Sequence, residues 1–430
     1  MKGHMLKGIH FTLMSSAIAP GPGAPPSAPA PEPVPKDVAE AFVSAQVTQA
    51  TGPKAKSGFS LTFSLGKGSG IRRRFEAGFF DPPRRVVLYA TLNGQINVLS
   101  DGVITRHEVS SSNDPGQSRL TVIGEDLTRL LDLIDFSWVF KYPCMPAEAR
   151  VLLILAKYVP LGMFPMVFPS VNLDIPLPTR RIPSHMGTDL QYLTYLANSV
   201  GYTFYVEPGK LPGTSIAYWG PEMTLSDPQQ ALIVNSDAAS NVDALSFNFN
   251  GFAKTLYVML IRDEALPVPI PIPIPDVNPL SPPMGRRMPI PLQVQPLSGV
   301  SHYNPAQAIM VGLAKAARAS DVITGTGTLN VMRYGQLLTP RRFVEVRGAG
   351  YPHDGLHFVR SVTHNIKPGE YKQSFTLSRN AFEPLSLASA VLSTLPGAAG
   401  PAAISPGNMT GMPVPPAVPG VRVPGAAPIV

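Results

Sequence analysis

The chain has 430 residues, a formal net charge of +7, 44% hydrophobic residues and only 15% charged residues. A chain of this length is expected to form two or three domains of about 150 residues each, which excludes a single small core. The 49 prolines and 37 glycines exclude an all-helical protein, and the single cysteine, Cys144, excludes an intramolecular disulfide framework and a cysteine-cluster metal site.

The sequence also argues against membrane and nucleic-acid partners. It contains no run of about 18 apolar residues, so no membrane span is predicted. Residues 1–19 resemble a secretory signal only faintly, because polar residues interrupt the apolar stretch, and export is not expected. The basic residues form scattered pairs and triplets without the interleaved aromatic residues that would track phosphates and stack bases. We therefore expect no specific nucleic-acid binding.

Three proline-rich segments divide the chain, at residues 19–36, 266–297 and 395–430. Each contains too many fixed φ angles and too few N–H donors to form a helix or a central strand. We predict an extended loop for the first, a stiff arm between two folded elements for the second and an extended tail for the third.

Between these segments the sequence mostly predicts β-strands. They are marked by alternating apolar residues and by β-branched and aromatic side chains. In chain order the predicted strands are 59–65, 85–92, 120–123, 202–206, 245–261, 343–347, 356–364 and 371–378.

Helices are fewer and lie mainly in the middle of the chain. The clearest begins at Thr188, which forms a capping-box pattern with Gln191, and ends before Gly201. Three further helices are predicted at 125–135, 146–158 and 305–319.

This order of elements predicts a β-dominated α+β fold with two similar β-barrels and an α/β region between them. Residues 1–124 form the first barrel, which includes the loop 19–36. Residues 125–240 form the α/β insertion domain. Residues 241–385 form the second barrel, with the proline-rich arm 266–297 and the helix 305–319, and residues 386–430 form a proline-rich C-terminal tail.

An internal similarity supports the duplication. Residues 83–109 align with residues 340–366 at a constant offset of 257. The identical pairs are Pro83 and Pro340, Arg84 and Arg341, Arg85 and Arg342, Val87 and Val344, Leu99 and Leu356, and His107 and His364. We expect Val87 and Val344, and likewise His107 and His364, to occupy equivalent strand positions in two superposable barrels.

A group of histidines is the first candidate for chemistry. His353, Asp354, His357 and His364 lie close enough in sequence for a metal site. However, His353 and Asp354 fall in a predicted turn, and the odd separation of His357 and His364 on a strand points them to opposite faces. No metal site is predicted.

No catalytic or cofactor-binding residue is predicted either. The acids Glu125, Asp126, Asp132 and Asp135 are expected on the solvated face of the helix 125–135, and Glu207 at a strand end. The glycine-rich run 325–330 lacks the lysine and the setting of a phosphate-binding loop. We therefore predict that the chain is not an enzyme and binds no cofactor.

Several stretches, taken in order, resemble a known family. TDLQYLTYLANSVGYTFYVEPG (188–209) with AYWGPEM (217–223), the module at 337–382, and LSDGVITRHEV (99–109) with LTVIGEDLTRLL (120–131) are similar to segments of the phage late control D family. That family includes the baseplate hub of contractile tails and shares its fold with the N-terminal half of VgrG. The similar segments span roughly residues 38–385.

The resemblance implies a structural baseplate hub. Family hubs are homotrimers in which two similar barrels per chain form a pseudo-sixfold ring, which adapts a sixfold tail tube to a threefold spike. The implied partners are other copies of the chain, the tube protein, baseplate wedge proteins and a spike that is a separate protein, because nothing here resembles a fused spike. The implied location is the virion tail baseplate, or a phage-derived injection particle, after synthesis in the host cytoplasm.

The same analogy gives an expectation for the tail. It follows the second barrel, so we expect its apolar residues to contact a neighbouring chain on assembly; these are Val421, Val423, Ile429 and Val430.

Two alternative functions stay open. One is a tail-associated receptor-binding or cell-wall-degrading protein, which a pair of active-site acids would support. The other is a secreted proline-rich adhesin.

Overall fold

A computed structural model describes residues 9–18, 28–52, 55–66, 68–114, 117–137, 139–170, 182–222, 227–261, 270–275, 282–300 and 305–385. The chain divides into two compact units, Met1–Leu385 and Ser386–Val430. The second unit, with the predicted tail and its four apolar contact residues, lies outside the described residues.

The strands are given in chain order. They are β1 Ile9–Ala17, β2 Glu32–Pro33, β3 Phe42–Ala50, β4 Gly58–Ser64, β5 Arg84–Leu92, β6 Gln95–Ser110, β7 Arg119–Asp126, β8 Met163–Val167, β9 Thr203–Pro208, β10 Ser215–Gly220, β11 Gln229–Ile233, β12 Ala244–Phe249, β13 Thr255–Ile261, β14 Ile270–Ile274, β15 Gly285–Arg287, β16 Gln293–Pro296, β17 Ile323–Asn330, β18 Phe343–Arg347, β19 Gly355–Lys367, β20 Glu370–Arg379 and β21 Phe382–Pro384.

The helices are fewer and shorter. They are α1 Lys36–Glu40, α2 Gly70–Glu76, α3 Thr128–Leu131, α4 Ala147–Ala156, α5 Asp189–Ser199, α6 Pro305–Arg318 and α7 Val331–Tyr334, with 3₁₀ turns at Val159–Leu161 and Asp237–Ala239. Strands hold 46% of the described residues and helices 18%, which confirms the β-dominated α+β class. None of the described helices has the length and apolar character needed to cross a membrane.

Most strands belong to one 13-stranded sheet. Its main order is β12-β17-β20-β19-β3-β4-β7-β6-β5-β1-β2, and β11 joins through β18, which pairs with β19. The sheet contains two antiparallel meanders, β5-β6-β7 and β18-β19-β20. The ribbon β3-β4 connects them, because β3 pairs with β19 and β4 pairs with β7.

Each meander has three antiparallel strands, and the superposition of the two units stays a prediction. Val87 lies on the first strand of its meander and Val344 on the first strand of the other. Both second strands carry a β-bulge, after Ile104 in β6 and after Val359 in β19. Counted from the bulge, His107 is three residues on and His364 is five, so the expected equivalence of these two histidines is wrong.

One hydrophobic core serves both meanders. Leu88 and Val122 from the first belong to the same buried cluster as Val362 and Phe375 from the second. Glycines in β17 make this packing possible, because a Cβ atom at Gly327 would lie 2.5 Å from the Phe375 ring and would clash with it. The glycine-rich run 325–330 is therefore a strand whose glycines make room for aromatic rings.

The α/β region has a separate core around a small sheet. Its strand order is β8-β10-β9, and helices α4 and α5 contribute to the same buried cluster. The predicted capping box is confirmed, since Thr188 Oγ1 accepts a hydrogen bond from Gln191 N and the Gln191 side chain accepts one from Thr188 N. Gly201, with φ of +76°, ends the helix as predicted.

The helix predicted at 125–135 is wrong. Strand β7 continues to Asp126, which pairs with Gly102 of β6, and only Thr128–Leu131 is helical. The ladder hydrogen bonds on both sides of β7 outweigh the local helical pattern. The predicted helices at 146–158 and 305–319 are present as α4 and α6.

The prediction that 266–297 is a loop-like arm is corrected. In its described part, two strands lie on either side of β13, namely Ile270–Ile274 and Gln293–Pro296. A third strand, Gly285–Arg287, pairs with β21. Alternating prolines are tolerated in β14 because it is an edge strand, where one side needs no N–H donors. The predicted strand 245–261 is two strands, β12 and β13, which belong to different sheets.

The loop predicted at 19–36 also changes in its described part. Glu32–Pro33 pairs with β1, and α1 begins at Lys36. Strand β1, which the sequence analysis missed, pairs along its whole length with β5.

Candidate functional site

Two clefts lie where the α/β region meets the meanders. They measure about 320 Å³ and 340 Å³. Both are lined by Asp126 from β7, Tyr205 from β9 and Arg341 from the segment before β18. The two clefts therefore bring a carboxyl, a phenol and a guanidinium group to one junction, which is the candidate functional site.

Cations in the first cleft are matched by acids. The Arg341 guanidinium lies over the Tyr205 ring, 3.8 Å from its centroid, donates to the Ala50 carbonyl at 3.2 Å, and has its NH1 3.5 Å from Glu207 Oε2. The other pairs are Arg318 with Glu222 at 3.5 Å, Arg129 with Asp132 at 3.5 Å and Lys56 with Glu125 at 3.8 Å. Such paired charges leave no concentrated positive field for an anionic ligand.

Asp126 differs from the expected solvated acid. Its carboxylate accepts hydrogen bonds from Thr128 N at 3.0 Å and from the Thr128 hydroxyl. Burial raises the pKa of Asp126 to about 6, although these hydrogen bonds act in the opposite direction. Glu207, expected at a strand end, is in β9, lines the second cleft, and has a pKa raised by burial against the lowering effect of Arg341.

The remaining acids have structural roles. The Asp132 carboxylate accepts a hydrogen bond from Thr188 Oγ1 at 2.7 Å, and the Asp135 carboxylate accepts one from Ser137 N at 2.7 Å. The structure therefore brings Asp126 and Glu207 to one cleft and separates them from the helix face on which Asp126 was expected.

Two members of the histidine group, His357 and His364, are buried rather than split between two faces, whereas His353 and Asp354 are partly exposed. The bulge in β19 adds one residue between His357 and His364, so both rings are buried, at 0% and 1% exposure. Burial lowers the pKa of each to about 3, and Arg379 and His353 contribute at His357. Neutral rings of this kind pack: His357 Nδ1 lies 3.0 Å from the Gly355 carbonyl and His364 Nδ1 lies 2.8 Å from the Tyr371 hydroxyl.

Among the described residues no group of three or more His, Cys, Asp or Glu side chains could hold a metal ion. Asp354 accepts a hydrogen bond from Ala349 N at 2.8 Å and so stabilises the turn. Cys144 is exposed and not bonded to another cysteine.

Sequence reasoning missed the buried ion pair Arg85–Asp101. Two N–H groups of the guanidinium donate to the carboxylate at 2.7 and 2.6 Å, and the side chains are 2% and 0% exposed. Arg85 also donates to the carbonyls of Leu161 and Gly213, and Ser215 Oγ donates to Asp101. The pair joins the first meander to the α/β region, and no spacing rule reveals it because its hydrogen-bond partners in that region lie far from Arg85 and Asp101 in sequence.

A second buried charge, Asp189, lies at the start of α5. Its Oδ2 accepts hydrogen bonds from Lys157 Nζ at 2.5 Å and Tyr158 OH at 2.7 Å. His185 Nε2 lies 3.5 Å from Asp189 Oδ1, and His185 Nδ1 lies 2.9 Å from Tyr142 OH. This Tyr-His-Asp arrangement resembles a catalytic relay, but all three side chains are buried, which fits a role in packing the α/β core.

Exposed apolar side chains concentrate on the α/β region. Twelve of them lie between residues 133 and 195: Leu133, Ile134, Val139, Phe140, Leu152, Leu153, Val159, Phe164, Met166, Ile182, Met186 and Tyr195. Exposed apolar side chains in this number are typical of protein interfaces. The described residues therefore show more features that are typical of protein interfaces than features that are typical of a catalytic site.

No protein-family model matches the chain, and no curated protein matches it. Solved structures do. The chain is similar to the tail protein from Neisseria meningitidis MC58, with a TM-score of 0.54 and 14% identity over 86% of this chain and 97% of that one. It is similar to the prophage MuSo2 43 kDa tail protein from Shewanella oneidensis, with a TM-score of 0.55 and 12% identity over 87% and 100%.

A third similar structure is the half-lidded Francisella PdpA-VgrG complex. Its TM-score is 0.54 with 11% identity, and the match covers 89% of this chain and 60% of that one. At these identities the likeness shows a shared fold.

Proposed function

We propose that the protein is a structural component of the tail or baseplate of a phage or of a phage-derived injection particle. The observation that carries this proposal is the likeness to two tail proteins over 97% and 100% of their chains. Because the matches cover 86% and 87% of this chain, they extend well beyond a single common motif.

Within that role we propose a homotrimeric hub that adapts a sixfold tube to a threefold spike. The two similar meanders of each chain would give six similar units in a trimer, and each would belong to one of two related barrels at 1–124 and 241–385. The low charge content and the apolar α/β surface favour large contacts with other copies and with baseplate wedge proteins. The spike is then a separate protein, and the site of action is the tail baseplate.

Cell-wall cleavage is the second candidate, because Asp126 and Glu207 line one cleft and burial raises the pKa of both carboxyl groups. Glu207 is already engaged by Arg341, and paired acids at a domain junction also fit a structural role. We therefore favour a protein without catalytic, cofactor or metal residues. Peptidoglycan release by the purified chain that is lost in both Asp126→Asn and Glu207→Gln would contradict this.

The test of the proposed role is to find the protein in a particle. An epitope-tagged chain expressed with the genes that surround its own should co-sediment with tail particles, and gold-labelled antibody should mark one end of the tail. Recovery of the chain only as free protein in the culture medium would instead support an adhesin and contradict the proposal.

A further inference from the structure

The sheet of the proline-rich arm has two faces of different character. Strand β13 lies at its centre, with β14 antiparallel on one side and β16 parallel on the other. One face packs on α6 through Tyr257, Met259 and Ile274. The contact is close: a Cβ at Gly312 of α6 would lie 2.1 Å from Ile274 Cδ1. Where α6 covers it this face is a buried core, and its uncovered part on β16 carries the exposed polar residues Gln293 and Gln295.

The opposite face, which we call the arm face, has no such cover from α6. The strand register places Leu260 beside Pro271, Val258 between Pro273 and Pro296, and Leu256 beside Val294. Leu260 is 54% exposed and Val294 is 64% exposed, and the three prolines are exposed. A sheet with one solvated face normally carries polar residues there, whereas these seven side chains include none.

The edges of this sheet favour contact through the face rather than by strand addition. Pro271 and Pro273 remove N–H donors from β14, and β16 ends at Pro296. An incoming strand would therefore meet an incomplete row of donors. The partner must cover the arm face as a packed apolar surface.

The size of the arm face limits what can occupy it. Its five exposed side chains present roughly 400 Å² of apolar surface, which is within the range of functional patches. A stable specific interface needs about 800 Å² per partner, so this face supplies about half of one. Its partner must be held by further contacts in the same assembly, as copies of one chain in a symmetric ring are.

The charge of the arm face also favours identical copies. Residues near a rotation axis lie beside their own counterparts, so a charged side chain there would face a like charge. The arm face carries no charge and meets this condition. We propose that the arm faces of three copies pack against one another around the threefold axis of the assembly, an inference that rests on the homotrimer proposed above.

Cross-linking in intact particles tests this packing. In a Cys144→Ser background, Val294→Cys places a thiol on the arm face, and Gln295→Cys places one on the other face of the same exposed strand. Packed sheets lie about 10 Å apart, so a bis-maleimide of about that reach should join the Val294→Cys chains. We expect about tenfold more covalent dimer of the chain from Val294→Cys than from Gln295→Cys.

The outcomes separate the two proposals. In particles that contain three copies of the chain, two results would overturn the arm-face packing and leave the hub intact. One is equal linkage from both variants, and the other is linkage of Val294→Cys to a different protein. Particles with two or six copies would instead overturn the homotrimer. As an independent variant, Val294→Asp should reduce incorporation into particles about tenfold, while Gln295→Asp and the circular dichroism of both stay close to wild type. Normal incorporation of Val294→Asp would contradict the proposal.

Discussion

The α/β region is attached to the two meanders by junctions of different character. On the first meander, Arg85 and Asp101 are buried, and Arg85 donates hydrogen bonds to the Asp101 carboxylate and to the Leu161 carbonyl. On the second, Arg360 pairs with Glu222 at 2.8 Å and with Asp321 at 2.5 Å, and these side chains are 17 to 25% exposed. The second junction also borders the 320 Å³ cleft, which Glu222 lines.

This difference has a mechanical consequence. Removal of one partner of a buried bidentate ion pair strongly lowers the stability of the protein, because the other partner is left as an uncompensated charge. A partly hydrated network can exchange protein contacts for water at lower cost. We therefore expect the α/β region to be fixed to the first meander and adjustable on the second.

The largest effect is expected at the first junction. Arg85→Ala leaves the Asp101 carboxylate buried without its counter-charge, and should lower the free energy of unfolding by about 3–5 kcal/mol. Urea denaturation followed by tryptophan fluorescence measures it. The double variant Arg85→Met with Asp101→Leu is the control and should recover most of the loss. A loss below about 1 kcal/mol in Arg85→Ala would refute the anchoring role.

Acid should weaken the second meander before the first. His357 and His364 have folded pKa values of about 3, below the ordinary value of 6.5, so the unfolded state binds more protons between these values. Their contribution is complete above pH 6.5 and is lost as pH falls towards 3, by about 2 kcal/mol per histidine at pH 5. Hydrogen exchange should show β19 and β20 losing protection at pH 5 while β5 and β6 keep theirs. Equal loss in both meanders would contradict this.

A smaller effect is expected from the second junction itself. Arg360→Ala removes two charge-assisted contacts that are partly exposed, and should cost about 1–2 kcal/mol. The loss should shrink in 1 M salt, where the wild-type pairs are screened. Arg85→Ala serves as the comparison, because its buried pair should be insensitive to salt. The same salt response in both variants would remove the distinction between the junctions.

The smallest effect has the opposite sign. The folded pKa of Asp126, about 6, lies above its ordinary value of 3.8, so the native state binds more protons and stability falls as pH rises from about 4 to 6. Asp126→Asn removes this penalty and should stabilise the protein at pH 7 by about 1 kcal/mol, after allowance for partial exposure. Thermal unfolding at pH 4 and pH 7 measures it, with Glu125→Gln as the neighbouring control. Destabilisation at pH 7 would show that the carboxylate is needed there.

The sequence predicted those elements whose signals are local. The capping box at Thr188 and the strands 343–347 and 371–378 depend on neighbouring residues and were found within a residue or two. Strand β3, FVSAQVTQA, was missed because its small and polar residues carry a weak strand signal. It is defined by its two partners, β4 and β19, which are far away in sequence.

The candidate sites show the same limit. The presence of Asp126 and Glu207 in one cleft, and the pairing of Arg85 with Asp101, result from sheet register and strand order. The bulge in β19 reverses the face of His364 relative to His357, and an insertion of one residue leaves no mark in composition. The sequence showed which residue types are present, but it did not show which residues become neighbours in the folded chain.

The central claim, a homotrimeric hub at the junction of tube and spike, is tested most directly by cryo-electron microscopy of the intact particle. We predict three copies of the chain at one level of the baseplate, with the meanders β5-β6-β7 and β18-β19-β20 alternating as six similar units below the tail tube. A map in which the chain is absent from the baseplate, or is present in two or six copies with unrelated placement of the two meanders, would contradict the account.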